Sequence, residues 1–70
     1  MTNVVSKREL EVLELISHEF NSGQIANQLY ISVNTVVTHR KSLLKKLRAT
    51  NAAGLVRRGF EYGLLHLRRA

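Results

Sequence analysis

The sequence predicts an all-α fold of four helices, and three observations predict it. Apolar residues recur at steps of three and four in each candidate segment. A Ser or Asn stands just ahead of each segment, twice with Glu or Gln three positions further on, the pattern of a helix start. The one run rich in β-branched residues, 31–38, has no second run with which to pair as a sheet.

Ser6 and Glu9 form a capping box, so the first helix is expected over about 7–19. Leu10, Leu13 and Ile16, with Val12 and Phe20 beside them, make its apolar side, and Glu11 and Glu14 its wet side. Asn21 and Gln24 form a second box ahead of Ile25, Ala26 and Leu29, which places a short helix at about 22–30. Gly23 in its first turn weakens its propensity slightly. Ser32 is a good cap, and Val36, Leu43, Leu44 and Leu47 continue with helical spacing and no glycine, so a helix over about 33–48 prevails over a lone strand. After the connection at 49–51, Leu55, Val56 and Phe60 mark a fourth helix over about 52–62, capped by Asn51 or Thr50. Gly63 is its expected C-terminal residue, with Leu64 and Leu65 folding back onto the core and His66 to Ala70 fraying.

Size and composition narrow the functions open to such a fold. The 70 residues suit one small domain spanning the chain, and a chain this short buries only about 60% of its unfolded surface, too little to enclose a deep substrate pocket. There is no cysteine, hence no disulfide framework and no thiolate metal site. His18, His39 and His66 stand about twenty or more residues apart, far from ligand spacing. No nucleophile–base arrangement or phosphate loop is visible, so no catalytic residues are assigned, and neither metal, cofactor nor small-molecule ligand is expected. With no basic leader and no apolar run near the roughly 18 residues of a membrane span, the expected location is the cytoplasm.

Charge is sharply divided. Four of the five acids, Glu9, Glu11, Glu14 and Glu19, lie in the first helix. From Phe20 to Phe60 there is no acid, while Arg40, Lys41, Lys45, Lys46, Arg48, Arg57 and Arg58 supply seven cations of a chain whose net charge is +6. Such a surface suits a polyanion through counterion release. The second and third helices are joined by about three residues, the connection of a helix-turn-helix, which makes the third the recognition helix. At about 100° per residue, Val36, Leu43 and Leu47 fall on one side of it. Asn34, Val37, Thr38, Lys41, Lys45 and Arg48 fall opposite.

These residues resemble the LuxR-type (GerE-like) C-terminal DNA-binding domain of bacterial transcription regulators. The resemblance runs from Ser6 to about Leu65. It is carried by Ser6, Arg8, Glu9, Glu11, Val12 and Leu13, by Ile25, Ala26 and Leu29, by Ile31 and Ser32, and by Thr35, Val36, His39, Lys46 and Leu47. It implies a four-helix domain whose third helix reads the major groove of double-stranded DNA, the output part of a regulator of the response-regulator type. Carried over residue by residue, it implies base contacts from Val37, Thr38 and Lys41, with Arg40 as a further candidate, and phosphate contacts from Thr35, Lys45 and Lys46. Asn34 and His39 join the phosphate candidates by their places on the helix. The fourth helix is expected to pair protomers into a homodimer on DNA, with Leu55, Gly59 and Tyr62 as contacts. This sequence departs from the family pattern at Val37, where lysine is usual, at Glu19, where glycine is usual, and at Gly23 and Gln24. The alternative is a degenerate helix-turn-helix that acts mainly on a partner regulator or RNA polymerase, motivated by Val37. RNA polymerase is also a candidate partner of the DNA-binding form.

Overall fold

The computed structural model describes residues 4–67. Its elements are α1 (Lys7–Ser17), α2 (Ser22–Leu29), α3 (Val33–Leu47) and α4 (Ala52–Glu61), each within two residues of the range expected from the sequence. Every helix starts on a side-chain cap. Ser6 Oγ accepts the Glu9 N–H at 3.1 Å while Glu9 Oε1 accepts the Ser6 N–H at 2.9 Å. Asn21 and Gln24 repeat the exchange at 2.8 Å in both directions. Ser32 caps α3 through the Thr35 N–H at 3.1 Å, and Asn51 caps α4 through the Gly54 N–H at 2.9 Å. Each such bond satisfies a backbone donor that the first turn leaves orphaned.

All four helices also end alike. A left-handed residue follows each, and the next N–H reaches back five residues: Phe20 to Leu15, Ile31 to Ala26, Ala49 to Leu44 and Leu64 to Gly59. Only the last of these ends uses glycine, Gly63 at φ 74°. Glu19, Tyr30 and Arg48 take positive φ with a side chain attached, at a cost near 1 kcal/mol each.

The core gathers Val12, Leu13 and Ile16 of α1, Ile25 and Ala26 of α2, Val36, Leu43 and Leu47 of α3, Leu55 of α4, and Leu65. Leu10 lies at the edge of this cluster and Val12 at its centre, a rotation of α1 away from the expected stripe, because α1 must face both α3 and α4. Leu65 folds back across α4 as expected, and Gly59 makes room for it. A Cβ at that position would lie 2.6 Å from Leu65 Cδ1 and 3.3 Å from Leu13 Cδ2. Of the tail expected to fray, His66 and Leu67 are irregular and exposed, and 68–70 lie outside the described residues.

Candidate nucleic-acid interface

α2 and α3 pack on each other across the bend at 30–32, and α1 lies against α3 from the other flank. One long side of α3 is left uncovered. Its first turn is open to solvent through Ser32, Val33, Asn34 and Thr35, and Val33 keeps 47% of its surface. Thr38, Lys41, Lys45 and Arg48 continue the exposed line toward the C-terminus. Val37 is half-buried beside it. The Thr38 hydroxyl donates to the Asn34 carbonyl at 3.0 Å, which leaves its oxygen lone pairs as acceptors. Thr35 Oγ1 pairs with Ser32 Oγ at 2.8 Å.

Charge pairing separates these cations from those of α4, although among the described residues Lys7 at the start of α1 is also unpaired. Among the described residues, Arg40, Lys41, Lys45 and Arg48 make no ion pair, whereas Arg8, Lys46, Arg57 and Arg58 each hold a glutamate. Arg57 and Arg58 both reach Glu61, at 3.1 and 3.2 Å. The hydrogen bond from Arg57, reinforced by that from Arg58, holds the Glu61 carboxyl below the usual range. Lysines and arginines without partners, on a side that presents acceptors, hydroxyls and methyls, match what a major groove asks of a recognition helix.

The structure moves four of the expected site residues. Lys46 does not share the outward side with Lys45. It points to α1, where Nζ donates to Glu9 Oε1 at 2.8 Å and to the Val4 carbonyl at 3.0 Å, so two of its three donors are already engaged within the fold. Leu55 is 1% exposed in the core and Gly59 is buried under Leu65, so neither offers surface to a second protomer. Of the expected pairing contacts Tyr62 is open, with Phe60 beside it in α4. Arg40 is half-buried, with Leu43 and Leu47 sharing its side of α3, rather than on the outward line. His39 is half-buried at the α1 flank.

The Glu9 carboxylate is the centre that sequence reasoning missed. It is 5% exposed and accepts from Ser6 N, Lys46 Nζ and the Ser42 hydroxyl. Burial alone would raise its pKa, but the hydrogen bonds from Lys46, Ser42 and Ser6, with the Lys46 charge, outweigh burial and bring it down to about 2. The available signal was that Ser42 and Lys46 stand four apart on α3, and therefore on one side, about 100° from Lys45.

A domain of this shape, with one bare basic helix following a tight bend, is of the helix-turn-helix class that binds DNA. Residues 3–58 match the family described as bacterial regulatory proteins, luxR family, and the chain belongs to that family, whose helix-turn-helix domain serves DNA-binding transcription regulation. The chain is similar to the oxygen regulatory protein NreC of Staphylococcus carnosus (strain TM300), 39% identical over 61 residues, which are 87% of this chain and 26% of the relative. NreC of Staphylococcus aureus (strain JH9) is similar to the same extent. Among solved structures, the response regulator ChrA of a heme-sensing two-component system superposes with a TM-score of 0.89 at 28% identity, covering 93% of this chain and 32% of ChrA. The chain thus spans about a quarter of the length of the curated relatives it matches.

Proposed function

We propose that this chain binds double-stranded DNA sequence-specifically, with the N-terminal half of α3 in the major groove, as the output domain of a response regulator. One observation carries this reading: Lys41 and Lys45, with Arg48 at the helix end, lie without ion-pair partners on the exposed side of α3, while Arg57 and Arg58 of α4 share the carboxylate of Glu61. Val37, Thr38 and Lys41 are the base-reading residues, with Arg40 at their edge, and Asn34, Thr35, His39 and Lys45 meet phosphate. A threonine or valine methyl meets a thymine methyl, and lysine reaches guanine O6 and N7. One helix covers few base pairs, so two protomers occupy half-sites about one helical turn apart and meet through α4 at Tyr62. The relatives' names, which describe regulators, support the response-regulator assignment.

The test is binding to a random duplex library across a salt series. Affinity is expected to fall with a slope of about −0.9 per phosphate neutralised, and selection is expected to enrich a two-fold repeated site. Binding that ignores salt, or enrichment of no sequence, overturns the proposal in favour of a protein-binding helix-turn-helix.

A further inference from the structure

α3 rests on the core through Val36, Leu43 and Leu47, and apolar contacts of this kind are non-directional. They fix which stripe of the helix faces the core and leave its finer rotation to directional contacts. Among the described residues, only three side-chain hydrogen bonds join α3 to other elements: Ser42 Oγ to Glu9 Oε2, Lys46 Nζ to Glu9 Oε1, and Lys46 Nζ to the Val4 carbonyl. All three meet at one place. The two oxygens of a single buried carboxylate take two groups spaced one turn apart on α3, about 6 Å along its axis. The same ammonium binds the backbone of the segment that enters α1, and Glu9 Oε1 also accepts the Ser6 N–H of that segment.

We propose that Glu9 is the positioning residue of the recognition helix, setting its rotation through Ser42 and Lys46 and tying that rotation to the path of residues 4–6. The inference rests on α3 being the DNA-reading helix. A rotation of roughly 10° moves a side-chain tip 5–6 Å from the axis by about 1 Å. That exceeds the roughly 0.5 Å window of a hydrogen bond to a base edge. Buried ion pairs are weak sources of net stability, and fixing register is their best-attested use. A shift in the chain at Val4 therefore reaches the side chains that discriminate bases, with no contact between that segment and DNA.

Two conservative variants test this. Glu9→Gln keeps the shape and the cap while removing the charge that orients Lys46. Lys46→Met keeps the stem and removes the ammonium. Both are expected to bind duplex DNA with the parental salt slope while losing about tenfold in the ratio of preferred to non-preferred sites. In the free protein, amide exchange over Thr38–Lys41 is expected to quicken about fivefold. If Lys46→Met instead makes the slope shallower by about 0.9 and leaves the ratio unchanged, Lys46 sits on phosphate and the proposal fails. Parental ratios and parental exchange in both variants reduce Glu9 to a cap. Should the parent bind no duplex, the proposed function falls, and the exchange rates alone then support or overturn the positioning role.

Discussion

Two basic regions of similar sequence density behave differently in this molecule. α3 carries Arg40, Lys41, Lys45, Lys46 and ends at Arg48, and α4 carries Arg57 and Arg58. In α4 both arginines converge on Glu61, one turn further along. In α3 only Lys46 is paired, and it is paired across the fold. Counting cations gives a sequence its affinity for polyanions in general, but partners decide which cations remain to meet phosphate. Lys45 and Lys46 make the point most sharply. They are adjacent in the chain, and one faces solvent while the other holds a buried carboxylate.

The largest effect that can break this contrast lies in the inward pair. Glu9 titrates near 2 when folded against an ordinary value of 4.5. A depressed carboxyl contributes stability that is present above its unfolded pKa and is lost as pH falls toward the folded one. Stability is therefore expected to drop by up to about 3 kcal/mol between pH 4.5 and 2, read by chemical denaturation at each pH. The Glu9→Gln variant is expected to lose most of that dependence. If it keeps the parental acid profile, other carboxylates govern the acid transition and Lys46 is not held by charge.

Next comes the outward side of α3. Lys41→Ala is expected to cost about 1–3 kcal/mol on the preferred site and to relax discrimination at one or two base positions. Lys45→Ala is expected to weaken all sequences alike and to lower the salt slope by about one contact. A binding selection on both variants beside the parent decides. Unchanged base preferences with Lys41→Ala would place some other side of α3 in the groove.

How much of this was written in the sequence depends on the range of each interaction. Helix starts were legible because a cap is a local device: Ser6 with Glu9 and Asn21 with Gln24 act across three residues. The turn into α3 followed from the Ser32 cap and its outward line from periodicity, although Val37, expected on that line, is half-buried beside it. What stayed hidden was long-range. Glu9 was legible as a cap, yet its bonds to Ser42 and Lys46 span 33 and 37 positions, and no local pattern encodes which helix will lie beside which. The same ignorance of packing put Leu55 and Gly59 on a protomer surface. Leu55 belongs to the core, and Gly59 is covered by Leu65, an arrangement that needs Gly59 to lack a side chain.

A smaller effect comes from the bend between α2 and α3. Tyr30 is 95% exposed at φ 57°, a conformation in which its Cβ is strained and from which its ring gains no packing. Tyr30→Gly is expected to change stability by about 1 kcal/mol or less, with relief of strain offset by the greater freedom of the unfolded chain. Thermal unfolding measures it. A loss beyond 2 kcal/mol would mean that the ring holds the bend in a way its exposure conceals.

The smallest expected change tests α4 directly. Glu61 is exposed, and pairs of exposed charges contribute little to folding, so Glu61→Gln is expected to leave the unfolding midpoint close to the parental one. Its effect on binding has a different origin. Arg57, whose side chain is 81% exposed, and Arg58 lose the carboxylate they share, and the net charge rises by one. If α4 lies within reach of the DNA backbone, freeing two guanidinium groups steepens the salt slope by up to about two contacts and raises affinity for every sequence alike. If α4 faces away, the slope stays parental and only a slight, general gain from net charge remains. Lys45→Ala in the same titration calibrates what the loss of one phosphate contact looks like. A steeper slope in Glu61→Gln would make α4 a second, masked basic surface, and a parental slope would leave α3 as the basic side that meets DNA.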